Sequence, residues 1–510
     1  MVPSLITTHS RCLLAFLFLL SAPLDACSKS DQDLTQPQVE QLRSHIAKYL
    51  EETGAPSVAV GVAKRGKIVW EEGFGWANKE KKVQATPRTM YSVGSLSKPM
   101  TATAVMILAE RGLIDLNVPA NTYLGEAKLR AFAGTPEDAT VKRLLHHTAG
   151  LPMYWHFYEG ELAGRPDPET IIQRYGILTT PPGERYEYSN LGYSILATIL
   201  ERVSGKNFRE FMRGEVFEPL GLRTTSIFDD PPDADTVAPR YIGNKEVSTF
   251  YDYHLRGASA VYSSAHDLLR FGMFHLKNRL DDQKQIIAPK SIEEMQESVD
   301  SRLTSSRYKI GWDVGERYGY DVVTHGGVMP GVRTILLLLP SEDIAVVVLS
   351  NGGNIELPKI YDPILASLLP DYRDRWRRQQ PGQGPGRPGS FSPPAPLVGE
   401  WSGTITTYEK VLPAGLICRS DGSVTLLLGV DAGSVREISE LASPPRMQGG
   451  LFIANFKTEL PIQEARQSPH TTYLKMKLSE NKLSGFALAV CEKEYFGLPS
   501  YIELSRKKVQ

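Results

Sequence analysis

The chain has 510 residues, of which 41% are hydrophobic and 23% charged, the composition of a globular protein with room for two or three domains. Lysine plus arginine (57) nearly balances aspartate plus glutamate (58), with no basic block or stripe, which argues against a nucleic-acid partner. No apolar run reaches the roughly 18 residues that a mature membrane-spanning helix needs.

Arg11 precedes the apolar stretch Cys12–Leu20, and the small residues Ser21, Ala22 and Ala26 follow. That order reads residues 1–26 as a signal peptide and the mature protein as exported, periplasmic or held at the cell envelope. Cleavage after Ala26 makes Cys27 the first mature residue. Leu24-Asp25-Ala26-Cys27 resembles a bacterial lipoprotein box, although Asp25 is unusual there. Four cysteines less Cys12 leave three, an odd count for an oxidising compartment. With Cys27 lipidated, the protein is attached to the membrane through that lipid, and Cys418 and Cys491 remain free to pair. The plainer alternative is a secretory peptide and a spare thiol.

Residues 27–36 are polar and read as a tether. Val39, Leu42, Ile46 and Leu50 mark one face of a helix over Val39–Glu52, and Gly54-Ala55-Pro56 stops it. Ser57–Lys64 and Lys67–Gly75 read as a hairpin around Arg65-Gly66. A helix-rich middle follows. Strands are then expected at Asp321–His325, Arg333–Leu339 and Ile344–Ser350, and a helix at Leu357–Leu369 despite Pro363. This arrangement is α+β, with both ends of a unit spanning 37–370 meeting in one antiparallel sheet. Residues 371–396 are charged, then rich in Gly and Pro, and read as a linker. Residues 397–510 alternate in short segments with turns, the pattern of an antiparallel β-barrel or sandwich. The opening Gly399-Glu400-Trp401 looks like that of a lipocalin.

The S-x-x-K string occurs at Ser95, Ser306, Ser479 and Ser505. Only Ser95-Leu96-Ser97-Lys98 opens an apolar helical pattern, through Ala102, Val105, Met106 and Leu108. Ser95 then sits near a helix N-terminus with Lys98 one turn on, on the same face. A serine hydroxyl needs a base, and a lysine serves once burial or neighbouring charge lowers its pKa. Tyr188-Ser189-Asn190 precedes a second apolar helix. A phenol beside an ammonium ionises more easily and relays a proton, and an asparagine amide orients its neighbours. His325-Gly326-Gly327 ends a strand, where glycines leave room for a substrate along the edge and backbone N–H groups, including that of Val328, can face an oxyanion. Taken singly, each string has a simpler reading: a helix cap, a loop tyrosine, a strand-end turn. His146-His147 has no acidic partner at ligand spacing, and no metal or other cofactor is expected. Tyr154, Trp155, Phe157 and Tyr158 are read as core, with the cleft wall as the alternative.

Taken in order, the three strings resemble the serine β-lactamase and penicillin-recognising superfamily, in particular its branch of class C β-lactamases, DD-peptidases, esterases and D-aminopeptidases. The pattern S-x-x-K, Y-x-N, K/H-x-G maps onto Ser95/Lys98, Tyr188/Asn190 and His325/Gly327. Thr140–Pro152 and Tyr262–Leu268 also look familiar, and the resemblance covers roughly residues 40–370. It implies an antiparallel sheet flanked by helices with an all-helical lobe, the β-lactamase/transpeptidase-like fold. It also implies an acyl-enzyme route: Ser95 attacks, Lys98 and Tyr188 move its proton, and the amides of Ser95 and Val328 hold the oxyanion. Some members of the family carry a C-terminal barrel.

His325 stands where many β-lactamases and peptidases carry lysine. A neutral histidine holds a substrate carboxylate less firmly. The expected substrate is therefore a small ester, amide or D-peptide. The alternatives are a β-lactamase and a slowly acylating sensor that acts through its C-terminal domain.

Overall fold

Gln36–Thr53 forms helix α1, opened by Pro37 in its first turn and by the Thr35 amide donating to Gln38 Oε1 at 2.8 Å, and closed by Gly54 at φ 66°. Its buried residues are the four expected from the sequence, Val39, Leu42, Ile46 and Leu50. The computed structural model describes residues 33–157, 166–228, 237–243, 245–247, 255–278, 280–297, 307–378, 391–431, 434–466, 468–493 and 495–507. The expected signal peptide and Cys27 lie outside them. Among the described residues no helix is long and apolar enough to cross a membrane.

Seven strands build the first sheet: β1 (Ser57–Lys64), β2 (Lys67–Asn78), β3 (Val83–Gln84), β4 (Asp313–Arg317), β5 (Tyr320–Met329), β6 (Val332–Leu339) and β7 (Ile344–Ser350), in the order β4-β5-β6-β7-β1-β2-β3. The first and last segments of the unit pair antiparallel, Val58 opposite Ser350. Both central strands are buried throughout, and their side chains sort by parity. Val58, Val60, Val62, Ile344, Val346 and Val348 pack with α1; Ala59, Ala63, Ala345, Val347 and Leu349 face the other way. There the residues of β1 are small because helix α4 (Ala265–His275) lies close: a Cβ on Gly61 would stand 2.7 Å from Leu269 Cδ1. On that side α2 (Ser97–Glu110) and α3 (Asn190–Ser204) form the middle of a helical lobe.

Helix α5 (Pro358–Leu368) contains Pro363, whose missing N–H leaves the Lys359 carbonyl without its helical donor. His45 Nε2 on α1 lies 2.7 Å from that carbonyl and supplies the replacement. The first part of the expected linker is helical instead: Pro370–Arg378 forms α6. Charge hid an apolar face in which Tyr372 is fully buried and Trp376 packs four residues on. Tyr372 OH donates to Asp362 Oδ1 at 2.5 Å, and Arg317 of β4 grips the same carboxylate at 2.9 and 2.7 Å.

The C-terminal residues form a second antiparallel sheet: β8 (Gly399–Thr406), β9 (Val411–Cys418), β10 (Val424–Asp431), β11 (Ser434–Ile438), β12 (Leu441–Gln448), β13 (Leu451–Phe456), β14 (Thr471–Ser479), β15 (Lys482–Cys491) and β16 (Phe496–Arg506). Its order, β11-β10-β9-β8-β16-β15-β14-β13-β12, has two ends that do not pair with each other among the described residues. The sheet is thus a curled half-barrel and not the closed lipocalin-type barrel expected. Trp401 is buried, its indole N–H donating to Leu397 O at 3.0 Å. Cys418 and Cys491 are both buried, and no disulfide joins them. Ser505, the last of the S-x-x-K serines, lies in β16.

The two sheets meet through the lobe. The two-residue strand Trp155–His156 pairs with the start of β16, His156 opposite Phe496 and Trp155 opposite Gly497. Phe132 stacks on Tyr501 with ring centroids 4.7 Å apart, and Arg174 and Tyr175 both bond Glu464.

Candidate active site

The local sequence around Ser95 makes a tight turn. Gly94, at φ 55°, and Leu96 bracket Ser95 in a 3-10 turn that runs into α2. Ser97 locks the turn, donating from Oγ to Gly94 O at 2.7 Å and accepting from Val261 N at 3.0 Å. Thr334 on β6 donates to Val93 O at 2.8 Å. Strand β5 can approach this turn only because Gly327 has no side chain: a Cβ there would stand 2.0 Å from Val93 O and 2.3 Å from Thr334 Oγ1. This corrects the sequence-based reason for that glycine. It makes room for the turn that carries Ser95, not for a substrate.

Four of the expected residues converge. Lys98 Nζ lies 3.1 Å from Ser95 Oγ, and Tyr188 OH donates to the same oxygen at 2.9 Å. Lys98 Nζ also donates to Asn190 Oδ1 at 2.8 Å and to Ala258 O at 3.0 Å. Lys98 is 0% exposed, and burial pushes its pKa well below the ordinary lysine value. A neutral amine has two N–H donors and one lone pair. In that form the two carbonyl oxygens would take the donors and leave the lone pair for the Ser95 hydroxyl.

Tyr188 behaves differently from the sequence-based expectation. Burial raises its pKa, outweighing the lowering by its bond to Ser95, so the phenol stays protonated. Ser189 caps α3, accepting from Gly192 N at 3.2 Å, and Asn190 is the first helical residue and not the cap. The Asn190 side chain donates to Tyr154 O at 3.1 Å while accepting from Lys98.

Sequence reasoning did not find what holds this segment. His147, at φ 56°, accepts from Ser189 N at Nδ1 (3.1 Å), and its carbonyl accepts from Glu187 N (2.8 Å). Its ring packs between those of Tyr188, Tyr193 and Tyr308, at centroid distances of 4.4, 5.1 and 4.5 Å. The only trace of this in the sequence is the string His146–Pro152, which carries no spacing signal of its own.

Strand β5 does not end at His325 but runs through Gly326, Gly327 and Val328 to Met329, paired with β6 throughout. Strand β4 stops opposite Thr324, so His325–Met329 form an edge beside the turn of Ser95. His325 is 6% exposed. Its Nδ1 lies 2.8 Å from Gly326 O and its Nε2 3.1 Å from Tyr308 OH. Burial, with the nearby Lys98, lowers its pKa to about 3, so it is neutral at pH 7. The neutral ring donates from Nδ1 and accepts the Tyr308 hydroxyl at Nε2.

These groups open on a cleft of about 1140 Å³ lined by Ser95, Tyr188, Asn190, His325, Gly326 and Val328. Val328 is 63% exposed there. Trp155 and Phe157 also line the cleft, against the core reading, whereas Tyr154 is buried and Tyr158 lies outside the described residues. Ser306 likewise lies outside them, and Ser479 ends β14. The C-terminal sheet contributes wall as well, with Val490, Cys491, Glu492 and Tyr495.

Residues 42–368 match the Beta-lactamase family. The protein flp of Staphylococcus aureus (strain MRSA252) is 24% identical over 365 residues, covering 67% of this chain and 71% of flp. PbpX of Bacillus subtilis (strain 168) is 29% identical over 314 residues, covering 61% of this chain and 74% of PbpX. The structure of the octameric penicillin-binding protein homologue from Pyrococcus abyssi aligns with a TM-score of 0.56 at 23% identity, covering 91% of this chain and 100% of its own, a likeness of fold. Since the family match runs from within α1 to the end of α5 and encloses every side chain bonded to Ser95 or Lys98, the chain belongs to the Beta-lactamase family.

Proposed function

We propose that this protein is a serine hydrolase that acts through an acyl-enzyme on a small ester, amide or D-peptide. One observation carries the reading: Lys98, fully buried and with its pKa pushed down by that burial, holds Nζ 3.1 Å from Ser95 Oγ. In acylation Ser95 Oγ forms a bond to the substrate carbonyl carbon and its proton passes to Lys98 Nζ. The phenol of Tyr188 gives its proton to the leaving oxygen or nitrogen as the old acyl bond breaks, and the Lys98 ammonium replaces that proton. Deacylation reverses the roles, with water in place of the leaving group.

The oxyanion falls to the amides of Ser95 and Val328. What supports this is the close approach of β5 to the turn: a Cβ built on Gly94 would lie 3.5 Å from Val328 N. A neutral His325 offers a substrate carboxylate no full charge. That favours esters and amides over β-lactams, whose carboxylate needs an anchor. Residues 1–26 support export of the mature enzyme.

The test is covalent labelling with a fluorophosphonate and with a fluorescent penicillin, wild type beside Ser95→Ala. Fluorophosphonate labelling that disappears in Ser95→Ala, with turnover of a p-nitrophenyl ester but not of a cephalosporin, is the expected result. Stable penicillin label without turnover selects a sensor, and rapid cephalosporin hydrolysis selects a β-lactamase. Label that persists in Ser95→Ala removes Ser95 as the nucleophile.

A further inference from the structure

Glu187 immediately precedes Tyr188, and its carboxylate is nearly buried, its side chain 6% exposed. Both of its oxygens are held at 2.7 Å by one ammonium, that of Lys475 on β14. Arg185 Nε is a second cation at 3.7 Å. The partner therefore comes not from the catalytic unit but from the C-terminal sheet, 288 residues further along the chain. A second handle acts on the neighbouring residue of the site. Trp155 and His156 pair with β16, and the carbonyl just before them, Tyr154 O, receives the side chain of Asn190. Gly497 makes this pairing close: a Cβ there would lie 2.4 Å from the Trp155 ring.

A buried ion pair is weak evidence for stability, since desolvation offsets much of the attraction. What it supplies is one allowed geometry. Lys475 bonds both Glu187 oxygens, and Tyr188 follows Glu187 by one peptide unit. We infer that Lys475 and Glu187 are positioning residues through which the C-terminal sheet holds Tyr188 against Ser95, so that the half-barrel is part of the catalytic scaffold and not an independent appendage. The inference rests on the reading of Tyr188 as the proton carrier.

The test uses the full chain with Lys475→Met, Lys475→Arg and Glu187→Gln. Lys475→Met should lower kcat for a p-nitrophenyl ester by about tenfold or more, with KM changed less than about twofold, because misplacing a reacting group costs rate more than binding. Lys475→Arg, which can re-pair with Glu187, should recover most of that loss. Hydrogen–deuterium exchange across residues 184–190 should rise in Lys475→Met while α2 keeps its protection. Should Lys475→Met fold poorly, Glu187→Gln keeps the shape and leaves Lys475 to water, and it is read the same way. Unchanged exchange over 184–190 together with unchanged kcat overturns the inference. Wild-type protein without Ser95-dependent turnover strikes the hydrolase reading instead, and the exchange data then decide this inference alone.

Discussion

The hydroxyl of Tyr308 stands 3.1 Å from Nε2 of His325, while Nδ1 of the same ring lies 2.8 Å from Gly326 O. Both nitrogens are thus engaged within the protein, and the ring has no proton to exchange with substrate near neutral pH. His325→Gln, which keeps a neutral polar group, should retain ester hydrolysis within about fivefold. The pH–rate profile of wild type should show no inflection from His325 between pH 5 and 8, given its pKa of about 3. A limb in that range that vanishes in His325→Gln would contradict the assignment.

Lys98 must be neutral to accept the proton of Ser95. Its pKa is depressed by burial, so the rate should rise with pH through that lowered value and level off well short of 10.5. Lys98→Ala should slow fluorophosphonate labelling by more than roughly tenfold. Lys98→Arg should do no better, since a guanidinium does not give up its proton. An unchanged rate in either variant removes Lys98 from the mechanism.

The two glycines of β5 should differ sharply in tolerance. Gly327→Ala drives a methyl onto Val93 O, 2.0 Å away, and should move the turn of Ser95, lowering kcat/KM by about a hundredfold. Gly326→Ala meets nothing nearer than Thr334 O at 3.3 Å and should cost less than about tenfold. Equal effects in steady-state assays would mean that the close approach at Gly327 does not govern the site.

Acid should destabilise the fold through its buried histidines. His275 and His325 have pKa values lowered to about 3 and His146 to about 4, all by burial. Each binds its proton in the unfolded chain near pH 6.5 but not in the folded one, so stability is fully present above about 6.5 and falls as pH drops toward 4. The slope is about 1.4 kcal/mol per pH unit for each such histidine. Urea unfolding at pH 7, 6 and 5 should show midpoints that decrease, and His275→Gln should flatten the trend. A midpoint independent of pH would exclude neutral burial.

The Ser95 cluster was legible because its residue types and short spacings are dictated by chemistry: a base one helical turn from a hydroxyl, a phenol two residues before an amide. Ser57–Lys64 and Ile344–Ser350 were legible to the residue, since alternation and β-branching leave few other readings. What escaped had no local signature. His147 acts through its ring faces and one backbone acceptor, and Tyr308 lies among residues of no clear period. Strand β5 outran its expected end because glycines erase the alternation by which a strand is read. Residues 371–378 passed for linker because six charges obscure Tyr372 and Trp376, four apart on one face. Lys475 and Glu187 meet only after the half-barrel has folded back over the lobe, and no spacing in a single sequence announces a pair that distant.

The side-by-side placement of β1 and β7 has a consequence for biosynthesis. Ser350 Oγ donates to Ser57 O at 2.9 Å across 293 positions of sequence. During synthesis the strand beside the N-terminal hairpin cannot be filled until the chain has grown past Ser350. The first hairpin must wait with an open edge while the whole lobe is translated, so the domain condenses late, as a unit, with slow closure of a very large loop. A chain cut short between Asn190 and Ile344 would therefore contain Ser95, Lys98 and Tyr188 and still be unable to assemble them.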